Sequence, residues 1–203
     1  MASTARTFIA LPIPEVQRTR LGRLQSLIAP DLPGARWSEP RQFHITLGFL
    51  GDVLDIDLAR LCRAVTDASA PFPPFTLNLQ GLGAFPTPEQ PRAVWVGVTG
   101  PGLDTLNELQ GAIADAVTEA GYPPDDRFHP HVTLGRLKGG KKHGEPPDLN
   151  PRVNHYRQWS AGNFEVAAVV AYASTLTPEG PDYMSLATAP LKPRKPGQGP
   201  PIR

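Results

Sequence analysis

The chain has 203 residues, enough for one generous domain or for two small lobes sharing an interface. Its 20 Lys and Arg against 19 Asp and Glu leave a net charge of +1, which excludes a dedicated duplex-DNA binder but leaves room for a local basic cleft that grips a small anion or an RNA end. One cysteine, Cys62, excludes a disulfide framework and a cysteine-rich zinc site, and no apolar run reaches membrane-spanning length; the expectation is a cytoplasmic protein, with Cys62 a buried thiol.

In chain order, residues 7–13 read as a strand cut off by Pro12 and Pro14. A helix over 14–29 follows, with Pro pre-set for its first turn and Val16, Leu21, Leu24, Leu27 and Ile28 as its apolar face. A short strand at 35–38 and a strand at 44–50, stopped by Gly51-Asp52, come next. Ile56, Leu58, Leu61, Cys62 and Val65 give 55–68 a helical spacing, and the alternation of Phe75, Leu77 and Leu79 marks a half-buried strand. A strand at 93–99 precedes a helix over 101–120 that stops at Gly121. The spacing then predicts a strand at 128–137, a Gly/Lys/Pro-rich loop at 138–151, a helical turn within 152–159 and β-rich stretches at 164–176 and 183–189. The Pro-rich residues 190–203 read as a disordered tail, leaving 1–189 as one domain.

Within this order one segment occurs twice. His44-Ile45-Thr46-Leu47-Gly48-Phe49-Leu50-Gly51 returns as His131-Val132-Thr133-Leu134-Gly135-Arg136-Leu137-Lys138, five of the eight positions being identical and the offset being 131 − 44 = 87 residues. Each half of the chain therefore holds helices, strands and one His strand. The fold class that follows is α+β or α/β, with two lobes related by an approximate twofold.

Alternation along a strand puts residues i and i+2 on one face. His44 points with Thr46 and His131 with Thr133, while Ile45, Leu47, Val132 and Leu134 point into the core. Histidine titrates near 6.5, so one ring can take a proton from water while another gives one to a leaving oxygen. The threonine hydroxyls can donate hydrogen bonds to a phosphoryl group. Arg136 has the opposite parity to His131 and reaches a phosphate only if its strand ends or bends there.

The two motifs, in this order, resemble those of the two-histidine phosphoesterases, specifically the LigT-like RNA 2′,3′-cyclic phosphodiesterases, also called 2′-5′ RNA ligases. Further support lies in Arg6-Thr7-Phe8-Ile9-Ala10-Leu11, Arg36-Trp37, Val94-Trp95-Val96-Gly97, Phe128-His129-Pro130-His131, and Ser174-Thr175-Leu176 followed by Gly180-Pro181-Asp182-Tyr183. The resemblance spans roughly residues 5 to 190. It implies an α+β fold of two lobes, each a mainly antiparallel sheet flanked by helices, with the His motifs facing across a groove, and metal-independent opening of a terminal RNA 2′,3′-cyclic phosphate to a 2′-phosphate, with the reverse 2′-5′ ligation as a side activity. It also implies His44 as the acid on the 3′ oxygen, His131 as the base on water, Thr46, Thr133 and Arg136 on the phosphate, and Phe8 against the terminal base. The near-symmetric motifs leave the acid–base polarity open. Implied partners are RNA 3′ ends, tRNA fragments among them, acting on a monomer without cofactor.

Two other readings keep part of this site. The same acid–base pair could open small cyclic nucleotides or a cyclic ADP-ribose phosphate, or the histidines could merely hold an RNA end without turnover. His129 and His131 form an H-x-H pair, but no carboxylate or Cys stands at ligand spacing to complete a tetrahedral metal set, and Asp125 and Asp126 read as turn residues. His155 reads as surface and Trp37 and Trp95 as core. Gly139-Gly140-Lys141-Lys142-His143 reads as a solvated basic loop. Neither a G-x-x-x-x-G-K-[ST] loop nor a G-x-S-x-G elbow is present, which disfavours nucleoside-triphosphate and serine hydrolysis.

Overall fold

A computed structural model describes residues 2–124, 128–137, 147–177 and 180–192; the Asp125-Asp126 turn, the loop at 139–143 and the tail from 193 onward lie outside the described residues. Within them the chain runs β1 (Thr4–Pro12), α1 (Glu15–Ile28), β2 (Arg36–Trp37), β3 (His44–Leu54), α2 (Asp55–Ser69), β4 (Phe75–Phe85) and β5 (Ala93–Thr99). It continues with α3 (Leu103–Glu119), β6 (His131–Arg136), α4 (Asn150–His155), β7 (Ser160–Val166), β8 (Ala168–Thr177) and β9 (Gly180–Pro190).

The strands make one antiparallel sheet in the order β7-β4-β5-β6-β3-β1-β8-β9, with β2 on β6. Two four-stranded halves meet at its centre, β7-β4-β5-β6 and β3-β1-β8-β9, and a single residue pair, Ile45 with Val132, joins them. Past that pair β3 and β6 diverge, and β2 occupies the freed edge of β6. The seam separates the two expected lobes, and the cleft opens there.

The helices cross between the lobes. α1 follows β1 but packs on β6 and β7, whereas α3 follows β5 but packs on α2 and β3. Leu21, Leu24 and Ile28 of α1, and Leu106, Leu109, Ile113 and Val117 of α3, are fully or almost fully buried against the sheet. Each such side chain stabilises by roughly 1.5–3 kcal/mol, which outweighs the weak intrinsic helicity of segments this short. On the sheet's helix-covered face lie Ile9, Leu11, Ile45, Leu47, Val132 and Leu134.

Several element boundaries differ from the sequence pattern for local reasons. β3 does not stop at Gly51; that glycine, at φ +68°, sits at a bulge that leaves Leu50 unpaired, and pairing resumes as far as Thr4 with Leu54. β4 likewise passes a bulge at Gly81, φ +77°, and runs on to Phe85. The β-rich stretch at 164–176 belongs to two strands, broken at Ala167: β7 pairs with β4 in one lobe and β8 with β1 in the other. No glycine or proline marks this crossing, so it is invisible in the pattern. On α1, Val16 and Leu27 are each 58% exposed, while Gln17 is buried and donates to the Asn163 carbonyl at 2.8 Å. At the C-terminal end Leu191 is buried, so packed chain extends past 189.

Candidate active site

The Ile45–Val132 pair sets the geometry. Paired indices in an antiparallel ladder have a constant sum, so this register brings His44 abreast of Thr133 and Thr46 abreast of His131. The approximate twofold passes through this pair. His44 and His131 are diagonal neighbours, about 7–8 Å apart in an ideal ladder. They share the face opposite the wholly buried Ile45 and Val132. A cleft of about 830 Å³ opens over that face, and His44, Thr46, His131, Thr133, Arg136 and Phe8 all line it.

Arg136 reaches the cleft because its strand is bulged. Trp95 pairs with Thr133 and Val94 with Gly135, so Leu134 is the extra residue. The parity shifts there: Leu134 and Gly135 are both buried, and Arg136 emerges on the same face as His131. The first copy does the same. Ala10 pairs with Thr46 and Ile9 with Gly48, which leaves Leu47 extra and turns Phe49 into the cleft. The Leu-Gly that follows each His-x-Thr is thus a bulge dipeptide. A Cβ on Gly48 would lie 2.9 Å from Pro124, and one on Gly135 would lie 2.7 Å from the Trp37 ring.

A bulge leaves a strand carbonyl without its ladder partner, and buried carbonyls need one. At Leu134 the side chain of Gln25, on the crossing helix α1, donates at 2.9 Å, and the Ser38 amide also donates at 2.9 Å. At Leu47 the side chain of Gln110, on the crossing helix α3, donates at 3.2 Å. The crossed helices therefore hold the two bulges that aim the residues after them.

Both imidazoles are oriented by the same device. His44 Nδ1–H donates to the Gln42 carbonyl at 2.6 Å, and His131 Nδ1–H donates to the His129 carbonyl at 2.6 Å. A carbonyl can only accept, so each Nδ1 carries hydrogen and each neutral ring has its lone pair on Nε2. Burial is the main cause that lowers His44, to a pKa of about 4; the Gln42 carbonyl opposes it, and charge on His131 and Arg136 adds to it. His131 is lowered too, first by burial, with the His129 carbonyl opposing and His129 and Arg136 contributing. Near neutral pH both rings are uncharged bases.

Each ring leans on aromatics of its own lobe. Phe8 lies 4.9 Å from His44 and Tyr183 lies 5.5 Å from it. Phe85 lies 5.1 Å from His131 and Trp95 lies 5.9 Å from it. Phe8 is only 3% exposed, with its ring stacked on Tyr172, so it is chiefly a backing for His44; Phe49, 44% exposed, is the open aromatic surface on that side. Phe85, Tyr183, Phe49, Arg6 and Arg36 also line the cleft and were not among the expected site residues. Arg6, Arg36 and Tyr183 stand in segments that carry the family resemblance, and Phe49 stands five residues past His44 as Arg136 stands past His131.

Trp37, expected as core, is half-buried and lines the cleft while packing on Gly135; Trp95 lies behind His131 over Gly83. Cys62, on α2, is half-buried against the hydrophobic core rather than fully buried, and His155 is exposed. Among the described residues no group of three His, Cys, Asp or Glu is placed to hold a metal ion, and no helix is long and apolar enough to cross a membrane.

Two anchored imidazoles, two hydroxyls and a guanidinium on one cleft wall are the equipment of a phosphoryl-transfer site. Residues 11–95 and 96–183, one stretch for each lobe motif, match the family model described as LigT like Phosphoesterase. The chain belongs to this family and is an enzyme of the phosphodiesterase class. A Methanothermobacter thermautotrophicus protein named RNA 2′,3′-cyclic phosphodiesterase is 31% identical over 181 residues, covering 89% of this chain and 96% of its own length. An Aeropyrum pernix protein of the same name is 38% identical over 168 residues, covering 82% and 92%. Among solved structures, a Thermus thermophilus protein superposes with a TM-score of 0.72 at 28% identity, covering 92% of this chain and 98% of that one. Escherichia coli LigT complexed with 3′-AMP gives 0.70 at 25% identity, covering 93% and 99%.

Proposed function

We propose that this enzyme hydrolyses the 2′,3′-cyclic phosphate at an RNA end to a 2′-phosphate, without a metal, in the cytoplasm. The observation that carries the reading is the convergence of His44 and His131 on one cleft, each with Nδ1 tied to a main-chain carbonyl and Nε2 left for chemistry. The relatives named RNA 2′,3′-cyclic phosphodiesterase support the substrate.

In this mechanism Nε2 of His131 takes a proton from water, and the water oxygen attacks phosphorus. The bond from phosphorus to the 3′ oxygen breaks, and His44 delivers a proton to that oxygen. The products are a 2′-phosphomonoester and a free 3′ hydroxyl; one proton has passed from His44 to His131 and must return through solvent before the next turnover. Thr46 and Thr133 donate to the non-bridging oxygens, and Arg136 offsets charge that grows on them. The bound phosphate anion raises the affinity of the nearby His44 for a proton, opposing the burial that lowers it. The terminal base rests on the wall made by Phe49 with Phe8 behind it. Run backwards with an RNA 5′ hydroxyl in place of water, the same groups form a 2′-5′ linkage.

The test is incubation with an oligonucleotide ending in a 2′,3′-cyclic phosphate, with chelator present. A 2′-phosphate product, lost in both His44→Ala and His131→Ala, is the expected result. A 3′-phosphate product, or turnover that depends on added metal, would refute the mechanism; tight binding without product would make the protein an RNA-end binder.

A further inference from the structure

β2 is two residues long, yet it sets one arginine directly across from another. Arg36 pairs with Arg136 in the β2–β6 ladder, so the two side chains leave the sheet on the same face. Both are exposed and both line the cleft. Like charges placed opposite each other weaken a sheet. Among the described residues no carboxylate lies within ion-pair distance of either guanidinium: Glu39, the acid nearest in sequence to Arg36, is bound to Arg41 at 2.6 Å. An arrangement that costs stability in the free protein is relieved when anions arrive.

The two arginines are not equivalent. Arg136 is close enough to His44 and His131 to lower the basicity of both, which puts it beside the reacting phosphate. Arg36 faces the same cleft from β2, one strand away from β6. A cyclic mononucleotide brings one negative charge and can satisfy only the inner cation. A chain brings one more charge for every nucleotide. On the opposite wall Arg6 also lines the cleft, but the residue across from it on β3 is the acidic Asp52, so the like-charge pairing of Arg36 with Arg136 is not repeated there.

We propose that Arg36 forms a second phosphate subsite, which takes the phosphodiester adjoining the cyclic end and makes the enzyme select RNA chains over cyclic mononucleotides. This rests on the cyclic-phosphodiesterase reading above and deepens it.

The experiment compares kcat/KM on a short oligonucleotide ending in 2′,3′-cyclic phosphate with that on a 2′,3′-cyclic mononucleotide, for the unmodified enzyme, Arg36→Gln, Arg36→Lys and Arg6→Gln. The unmodified enzyme is expected to favour the oligonucleotide. Arg36→Gln should lower the oligonucleotide-to-mononucleotide ratio about tenfold, mainly through KM, as loss of one charge-assisted contact predicts. It should also flatten the salt dependence of oligonucleotide kcat/KM by about 0.7 in log–log slope. Arg36→Lys should recover part of the ratio, and a thermal unfolding midpoint no lower than that of the unmodified protein will show that the substituted enzymes are folded. Equal efficiency of the unmodified enzyme on both substrates, or a ratio that falls in Arg6→Gln and not in Arg36→Gln, would overturn the proposal. Failure of the underlying reading looks different: the unmodified enzyme would then open neither cyclic phosphate.

Discussion

The two copies of His-x-Thr-Leu-Gly build the same wall twice and then part company one residue later. Bulge, carbonyl anchor and helix glutamine recur in both lobes, with Gln25 and Gln110 at the offset 110 − 25 = 85 and the histidines at 131 − 44 = 87. The residue that each bulge turns outward is Phe49 in one lobe and Arg136 in the other. In the mechanism proposed above, the symmetric parts supply the proton chemistry, and the asymmetric pair gives the cleft a direction, with an aromatic side offered to a base and a cationic side to phosphate. Burial adds a second asymmetry, since the lowering of His44 is large enough to bring it to about 4.

The comparison can be broken most severely at the imidazoles. His44→Gln and His131→Gln should each reduce kcat by about 10²- to 10⁴-fold. Their pH–rate profiles should lose opposite limbs, the acidic limb with His131 and the alkaline limb with His44. Profiles that lose the same limb would mean the two rings do not divide acid and base work between them.

A smaller effect, and a more selective one, is expected at the outward residues. Phe49→Ala should raise KM by the value of one stacked base, about 1–3 kcal/mol or roughly 5- to 150-fold, and should do so only for substrates carrying a base. Arg136→Gln should lower kcat/KM on every cyclic phosphate tested, including an abasic ribose 2′,3′-cyclic phosphate, by about tenfold or more. Steady-state kinetics on both substrates will show whether the two losses separate as the geometry requires.

The bulge supports come next. Gln110→Leu removes the side-chain donor to the Leu47 carbonyl, at a cost of about 1–3 kcal/mol in denaturant unfolding. Gln25→Leu should cost more, because Gln25 donates to the Ser38 carbonyl at 2.7 Å as well as to the Leu134 carbonyl at 2.9 Å, and the Ser38 amide still serves only the latter. Equal losses in the two variants would show that the lobes are less different here than their hydrogen bonds indicate.

The mildest effect is on stability against pH. The folded His44 titrates at about 4, below the ordinary 6.5 of an unfolded chain. Between these values the unfolded state binds a proton that the folded state does not. The stability that depends on a neutral His44 is therefore whole above about 6.5, is lost as pH falls toward about 4, and falls no further below that. His131 contributes a slope of the same sign. Urea unfolding across this range should show a shallower slope in His44→Gln than in the unmodified protein.

Much of the site was legible because it obeys a short period. Alternation alone put His44 with Thr46 and His131 with Thr133, and the repeat alone required two lobes. Arg136 was ambiguous for a physical reason: a bulge changes parity, and nothing in Leu134-Gly135 announces one until the pairing partners are known. Gly51 misled in the opposite sense, reading as a strand end where it eases a strand through an irregularity. Phe85 and Tyr183 lie far along the chain from the rings they support, so no local pattern ties them to a histidine. The passage between lobes at Ala167 leaves no compositional trace, and only its hydrogen bond to Leu191 marks it in the fold.

The carbonyl anchors have a consequence for how this site tolerates change. The groups that fix the two tautomers belong to positions 42 and 129 but not to their side chains, so every one of the twenty amino acids supplies the same acceptor there. In one lobe that position is glutamine and in the other histidine, and the Gln42 amide is free to donate elsewhere, to the Pro181 carbonyl. The proton placement on both rings is consequently written into the path of the main chain, where substitution at the anchoring positions cannot delete it, and a mutational scan of those positions would be blind to the most important thing they do.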